Sequence, residues 1–286
     1  MVELSRTIRF CLNDAVPDAP AMSAGSPGSA TPGVDAAKSI PSRNAYSAWP
    51  AMRGLGRYYQ LRVRCAGQPN EATGYLVNIK HIDEAVACSV LPYLQRLLGA
   101  AGSAATIPMG RLVRSMIQLL QEPLDDAVIG LCLDLTPCYG LMIESRNMNS
   151  VIIRQQFEFA AAHRLHASEL SDQENRQVFG KCNNPSGHGH NYRLEVVVRA
   201  AIDSGGHVAI EAQDLDTLID QAVIQKLDHQ HLNEDVPQFA NLNPTVENIT
   251  MVIHGMIKDQ VHRLGLELEE VSVWETDRTV CTYRGR

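Results

Sequence analysis

His188 and His190 stand one residue apart in GKCNNPSGHGHNY, at the head of a β-branched run. In an extended strand, side chains at i and i+2 leave the same face, so both imidazoles can reach one metal ion. His163, at the end of FEFAAAHRL, is a third candidate if its strand lies antiparallel beside the first. Three neutral imidazoles with one open position are the ligand set of catalytic zinc. Taken alone, an HxH pair reads equally well as polar strand residues with local hydrogen bonds. Cys182 lies six residues before His188. It could be a fourth zinc ligand closing a structural site, a thiolate base beside an open metal, or a buried structural thiol. Its Gly- and Asn-rich surroundings suggest an exposed loop, where Lys181 and a metal ion would both enrich the thiolate.

Other residues could complete such a site. Asp228 and His229 are adjacent in LDHQHLN, where a carboxylate can set the tautomer of a neighbouring imidazole and raise its basicity. The plain alternative is a local cap or turn. Glu275 in WETD shares a strand face with Val271 and Val273, so it is either a half-buried carboxylate in need of paired N–H donors or an exposed strand-end residue. Thr245 and Glu247 in PTVEN read first as helix-start residues at the positive end of the dipole, and second as substrate contacts. His231 and His166 read as bystanders.

These residues need strands and helices to hold them. VIIRQQFEFAA reads as a strand, followed by a long polar loop to about Gly187, and HNYRLEVVVRAAI as the next strand, with HVAIEA as a candidate continuation. Asp214 is placed to cap a helix carrying Leu215, Leu218, Ile219, Ala222 and Val223. A second helix starts near Thr245 with Ile249, Ile253, Met256, Ile257, Val261 and Leu264 as its buried stripe. EVSVWETD and TVCTYRG close as two strands around Asp277–Arg278. The first half repeats this order. After a short strand, TIRFCL, GLGRYYQLRV aligns on GHGHNYRLEV without a gap at an offset of 133, and GYLVNIKHID on GHVAIEAQDLD with one gap. Helices near 82–98 and 112–120 and strands near 128–135 and 138–143 complete the parallel. The expectation is α+β, with two tandem domains of one fold, 1–147 and 150–286, and a polar boundary around 145–150. In the first copy Leu55 and Arg57 replace His188 and His190, and Leu135-Thr136-Pro137 replaces Glu275-Thr276-Asp277, so zinc is expected in the second domain only.

Composition sets the class. The 286 residues are 45% hydrophobic and 20% charged, with a formal net charge of -7. That length suits roughly two domains. The acidic balance excludes a general nucleic-acid binder, which relies on clustered Lys and Arg. No apolar run approaches the roughly 18 residues of a membrane helix. MVELSRTIRFCLND has no apolar core of signal-peptide length, so a cytoplasmic location is expected. Seven scattered cysteines do not form a disulfide framework. Residues 13–50 are Ala/Pro/Ser/Gly-rich and read as a flexible insertion; GAAGSAATIPMG reads as a second stretch of low order. Nine of the ten histidines follow residue 150, which places the chemistry there.

Taken together, FEFAAAHRLHASELSDQENRQVFGKCNNPSGHGHNY, LDHQHLNEDVPQFA, PTVENIT and VWETDRTVCTYRG closely resemble the 6-pyruvoyl-tetrahydropterin synthase family, which also contains the bacterial 6-carboxytetrahydropterin synthases. The resemblance spans 152–285. It implies a tunnelling fold (T-fold) of four antiparallel strands with two helices on one face. It also implies homo-oligomeric rings whose sheets form a barrel, with active sites between subunits. The implied substrate is 7,8-dihydroneopterin 3'-triphosphate, with Mg2+ as a candidate companion of the triphosphate. The implied roles are zinc on His163, His188 and His190, proton abstraction by Cys182, a relay through Asp228 and His229, and pterin anchoring by Glu275. The product would be 6-pyruvoyl-tetrahydropterin, a step toward tetrahydrobiopterin. The Cys-to-His spacing leans that way over the 6-carboxy product of queuosine-type pathways. A pterin-binding pseudoenzyme and a zinc hydrolase on the same scaffold are the readings from other classes; the intact Cys182 weighs against both.

Overall fold

The computed structural model describes residues 1–12, 46, 48–52, 54–101 and 107–285. Most of the insertion expected over 13–50, and the centre of GAAGSAATIPMG, lie outside the described residues. The chain divides into two compact units, Met1–Thr136 with Met142–Met148, and Pro137–Leu141 with Asn149–Arg286. Both mix helices with an antiparallel sheet, so the fold class is α+β. No disulfide forms among the described residues, and no helix among them is long and apolar enough to cross a membrane.

In the first unit the strands run in the order β1 (Val2–Leu12), β2 (Arg57–Gly67), β3 (Val128–Thr136), and β4 (Tyr139–Glu144) is divided between the two units. Strand β1 is longer than TIRFCL because every residue from Val2 to Leu12 finds a partner on β2. Backbone pairing extends it where hydrophobicity does not. Helix α1 (Ile79–Ala85) starts at Asn78, whose side chain accepts the Lys80 N–H at 3.0 Å, and continues through a π turn at Val86–Val90 into α2 (Leu91–Ala101). Helix α3 (Met109–Gln121) buries Leu112, Val113, Met116, Ile117 and Leu120, one apolar stripe at helical spacing.

The second unit starts from β5 (Asn147–His163), so the polar residues 147–150 are strand, not a connecting loop. Next come α4 (Asp172–Phe179), a 3-10 turn at Gly180–Asn183, and β6 (His188–Ala201). Helix α5 (Ala212–Ile219) passes through a π turn at Asp220–Ile224 into α6 (Gln225–Leu227). The chain then forms β7 (Gln230–His231), α7 (Leu232–Asp235), α8 (Val246–Arg263), β8 (Glu267–Thr276) and β9 (Thr279–Tyr283). The sheet order is β5-β6-β8-β9, with β7 parallel to the end of β5.

Alternation along β6 buries Tyr192, Leu194, Val196, Val198 and Ala200 and turns the intervening residues outward. His188 and His190 continue that inward row. The inward row of β5 ends Phe159, Ala161, His163, and that of β8 runs Val271, Val273, Glu275. Three core rows therefore end in polar groups. Register brings them to one end: His163 pairs with His188, and Trp274 with Arg193.

Four details differ from the sequence expectation. The polar loop before Gly187 contains α4, because Ser171 and Glu174 form a reciprocal capping box. HVAIEA forms no strand; Ile202 and Val208 make one isolated bridge, and an Asp203–His207 turn consumes the neighbouring backbone. Asp214 is the third residue of its helix rather than the cap: Glu211 holds the cap position and its N–H donates to Asp214 Oδ2 at 3.2 Å. Leu264 is 44% exposed, since α8 has ended and the chain turns away at Gly265 (φ +74°), while His254 joins the buried face.

Candidate metal centre and active site

The ring nitrogens of His163, His188 and His190 offer ligand atoms that all lie within 4.8 Å of one another. His163 is fully buried. Its Nδ1 lies 2.7 Å from the Pro244 carbonyl oxygen, a partner that only an N–H can serve. The proton is thereby fixed on Nδ1, and Nε2 turns its lone pair toward His188 Nε2, 3.2 Å away. Burial, followed by the neighbouring imidazoles, pushes the His163 pKa down to about 4, so the ring is neutral near pH 7. His188 is shifted down as well, first by burial and then by His190. His190 Nε2 and His188 Nδ1 are buried with no hydrogen-bond partner among the described residues. Such orphans cost about 1–3 kcal/mol each when nothing binds them. A cation explains the convergence, and the donor set suits zinc.

Glu275 enters this cluster directly. Its Oε1 lies 3.6 Å from both His163 Nε2 and His190 Nε2. The carboxylate expected to anchor a ring thus also faces the imidazoles. Tyr192, third in the alternating row begun by His188, is a residue that sequence reasoning missed. It stacks on Phe159 (centroids 4.9 Å, 16°) and presents its edge to His163 and His190. Such a pair contributes about 0.5–1.5 kcal/mol beyond its buried area. The i, i+2, i+4 spacing of His188, His190 and Tyr192 was the available signal. Pro244 was also missed. Thr245 caps α8 by accepting the Asn248 N–H at 3.4 Å, and this places the Pro244 carbonyl against His163. Glu247 is exposed in the first turn.

Cys182 is half-buried in the 3-10 turn and lines a recess of about 830 Å³ with His188 and His190. Two buried asparagines hold its loop. Asn175 Nδ2 donates to the carbonyls of Ala167, Leu170 and Ser171, and Asn183 Nδ2 to that of Leu165. Leu165 N–H donates to the Cys182 carbonyl at 2.9 Å. The loop is irregular, but its buried polar groups are satisfied.

His229 does not line the Cys182 recess; it lines a second one, of about 570 Å³, with His190, His231 and Asp235. Asp228 Oδ1 accepts the Ala160 N–H and Oδ2 lies 2.7 Å from His229 Nδ1. His229 sits at φ +58°, held there by its N–H to the Ala160 carbonyl. Its side chain is 81% exposed, with Nε2 left as the basic atom. Another recess, of about 1060 Å³ around Arg199, His254 and Lys258, contains none of the expected catalytic residues.

Gly187 connects these features. It has φ +69°, and a Cβ there would sit 2.7 Å from His231 Nε2 and 3.0 Å from the His163 carbonyl. Gly187→Ala is expected to destabilise the fold by about 2–4 kcal/mol, from left-handed strain plus overpacking. Denaturant unfolding of the two proteins checks this; equal midpoints would contradict it.

A profile of the family described as 6-pyruvoyl tetrahydropterin synthase matches residues 152–286. The human 6-pyruvoyl tetrahydrobiopterin synthase is 41% identical over 133 residues, covering 46% of this chain and 90% of that protein. The chain belongs to the 6-pyruvoyl tetrahydropterin synthase family, whose members are lyases. The Poecilia reticulata 6-pyruvoyl tetrahydrobiopterin synthase is 44% identical over 128 residues, covering 44% of this chain and 85% of its own. Among solved structures, the Caenorhabditis elegans 6-pyruvoyl tetrahydropterin synthase is similar at 34% identity and a TM-score of 0.45, covering 48% of this chain and 96% of that one. The family match coincides with the unit that holds the histidine cluster.

Proposed function

We propose that this chain is a cytoplasmic, zinc-dependent lyase that converts 7,8-dihydroneopterin 3'-triphosphate to 6-pyruvoyl-tetrahydropterin with loss of triphosphate. The observation that carries this reading is the convergence of three imidazoles, one with a buried, unpartnered Nε2, two of which line one recess with Cys182. Zinc held by His163, His188 and His190 would supply Lewis acidity toward the side-chain oxygens and so acidify the adjacent C–H. Cys182 removes that proton as thiolate. Glu275 accepts N–H bonds from the pterin, which are charge-assisted and directional. Asp228 holds the His229 proton on Nδ1, and His229 Nε2 moves protons between side chain and ring. Triphosphate leaves with its bonding electron pair, and the hydrogens lost from the side chain return to the ring, so no external oxidant is needed.

The exposed His229, which lines a different recess from Cys182, favours a homo-oligomer in which one chain's Asp228–His229 pair serves another chain's site. Asp228→Asn should lower kcat by about a hundredfold, because an amide no longer enforces the tautomer. The Asp228 carboxyl is held below the usual carboxylate range, chiefly by the Ala160 N–H and then by His229. A depressed folded pKa stabilises above about pH 4 and is lost as pH falls through the folded value. The acid limb of kcat above pH 4 should therefore not be set by Asp228; a limb that disappears in Asp228→Asn would contradict this.

The tandem T-fold reading of 1–147 and 150–286 has structural support in matched irregularities. Gly54 and Gly187, 133 apart, both have positive φ, and α1 and α5 each pass through a π turn, at Val86–Val90 and Asp220–Ile224. Leu55 and Arg57, where the second copy has ligands, are exposed. The first copy would serve assembly, so a 150–286 fragment should lose the native oligomeric mass on size exclusion with light scattering. A fully active fragment of unchanged oligomeric size would overturn that role.

Metal analysis of the purified chain, with product analysis on dihydroneopterin triphosphate, tests the whole proposal. One zinc per chain and a pyruvoyl product support it. A carboxypterin with acetaldehyde identifies the 6-carboxy reaction instead, and zinc without turnover identifies a pseudoenzyme.

A further inference from the structure

Glu275 is out of place for a residue whose only task is to hold a ring. Its side chain is 22% exposed, and its carboxylate accepts no hydrogen bond among the described residues. Oε1 stands instead 3.6 Å from both His163 Nε2 and His190 Nε2. The His163 contact cannot be a hydrogen bond in the neutral ring. The Pro244 carbonyl holds the proton on Nδ1 and leaves only a lone pair on Nε2. His188 Nε2 lies 3.2 Å from that same lone pair, and His190 Nε2 is buried without a hydrogen-bond partner among the described residues. A carboxylate oxygen and imidazole lone pairs facing one another at such range repel unless a positive charge lies between them.

The spacing fits shared coordination. Zinc–ligand bonds of about 2.0–2.2 Å at tetrahedral angles separate neighbouring ligand atoms by about 3.3–3.6 Å. The three separations, 3.2, 3.6 and 3.6 Å, fall within or beside that range. Glu275 stands on the His163–His190 side of the cluster and beyond ion-pair distance of His188. A turn of its side chain toward His188 completes the fourth vertex.

We propose that Glu275 is a removable fourth ligand of the zinc held by His163, His188 and His190, bound to it in the substrate-free chain and released to the pterin. This rests on the pterin reading for the incoming ligand, and on the distances above for the resting state. As substrate enters, the Glu275–zinc bond breaks and a side-chain oxygen of the substrate forms a bond in its place. The freed carboxylate accepts the paired N–H groups of the ring, and no electron or proton is left over. A diol phosphate without those N–H groups offers nothing to draw Glu275 away, so a closed centre selects for the ring.

Zinc titration of the full-length chain against a chromogenic chelator, with no pterin present, tests the resting state. Glu275→Gln keeps the size of the side chain and should weaken zinc binding about tenfold to a hundredfold. Thermal unfolding of the chelated proteins verifies the fold, since an amide can donate to His163 Nε2 where a carboxylate cannot. Glu275→Asp keeps the charge but is one methylene shorter, and should not regain native affinity. Full affinity in that variant reduces the effect to charge and overturns ligation. The visible spectrum of the cobalt-loaded chain should differ between the native protein and Glu275→Gln, and identical spectra overturn ligation as well. Saturating neopterin, its binding followed by ring fluorescence, should change the native cobalt spectrum; bound neopterin with an unchanged spectrum overturns the release. Zinc held equally tightly by the native chain and Glu275→Gln sinks this inference alone and leaves the lyase reading standing. A native chain that takes up no zinc sinks both.

Discussion

Alanine at position 190 is expected to empty the metal centre and to lower turnover on the order of a thousandfold. The His190 Nε2 atom is buried, has no protein partner among the described residues, and lies 3.6 Å from Glu275 Oε1. In a protein without metal it is therefore a liability, and its removal relieves an unsatisfied group. In the metal-loaded protein proposed above it would be a ligand. The loss of several kcal/mol of Lewis-acid stabilisation, at about 1.4 kcal/mol per tenfold, converts to that factor. A second readout separates ligation from packing. Zinc at about a thousand times its Kd should stabilise the native chain by about 4 kcal/mol. It should not stabilise His190→Ala, while the two chelated proteins should unfold within about 1 kcal/mol of each other. A His190→Ala chain that retains one zinc and full turnover would remove the metal centre from the reading.

Cys182→Ser should behave in the opposite way toward metal. Its zinc content and unfolding should match the native chain, and kcat should fall about a hundredfold to ten-thousandfold, the usual range for loss of a positioned proton acceptor. The loop is held by Asn175, Asn183 and the Leu165 N–H, not by the thiol, so serine leaves its shape intact. Zinc lost together with activity would make Cys182 a fourth ligand and the site a closed structural one. Unchanged kcat would point instead to a binding role for the whole recess. The two substitutions thus divide metal binding from proton transfer.

Much of this site was legible because a strand displays its side chains with period two. His188, His190 and the Val271, Val273, Glu275 row could be placed on core-facing sides from alternation alone. The α8 stripe was legible from helical spacing, except where the helix had already ended at Leu264. The loop before Gly187 was not. Its order depends on Asn175 and Asn183, polar residues that look like solvent-exposed loop until the backbone they satisfy folds around them. Pro244 was invisible for a similar reason, since it acts through a carbonyl, and every residue has one.

Residue types and spacing were enough to point to the family and to nominate the three imidazoles, the thiol and the Asp-His pair, because donor chemistry and strand periodicity are local properties. Tertiary structure alone decided which nitrogen of His163 is free, that Glu275 faces the imidazoles, and that His229 and Cys182 line different recesses. Those depend on register between strands and on distances across tens of residues, which local pattern does not encode.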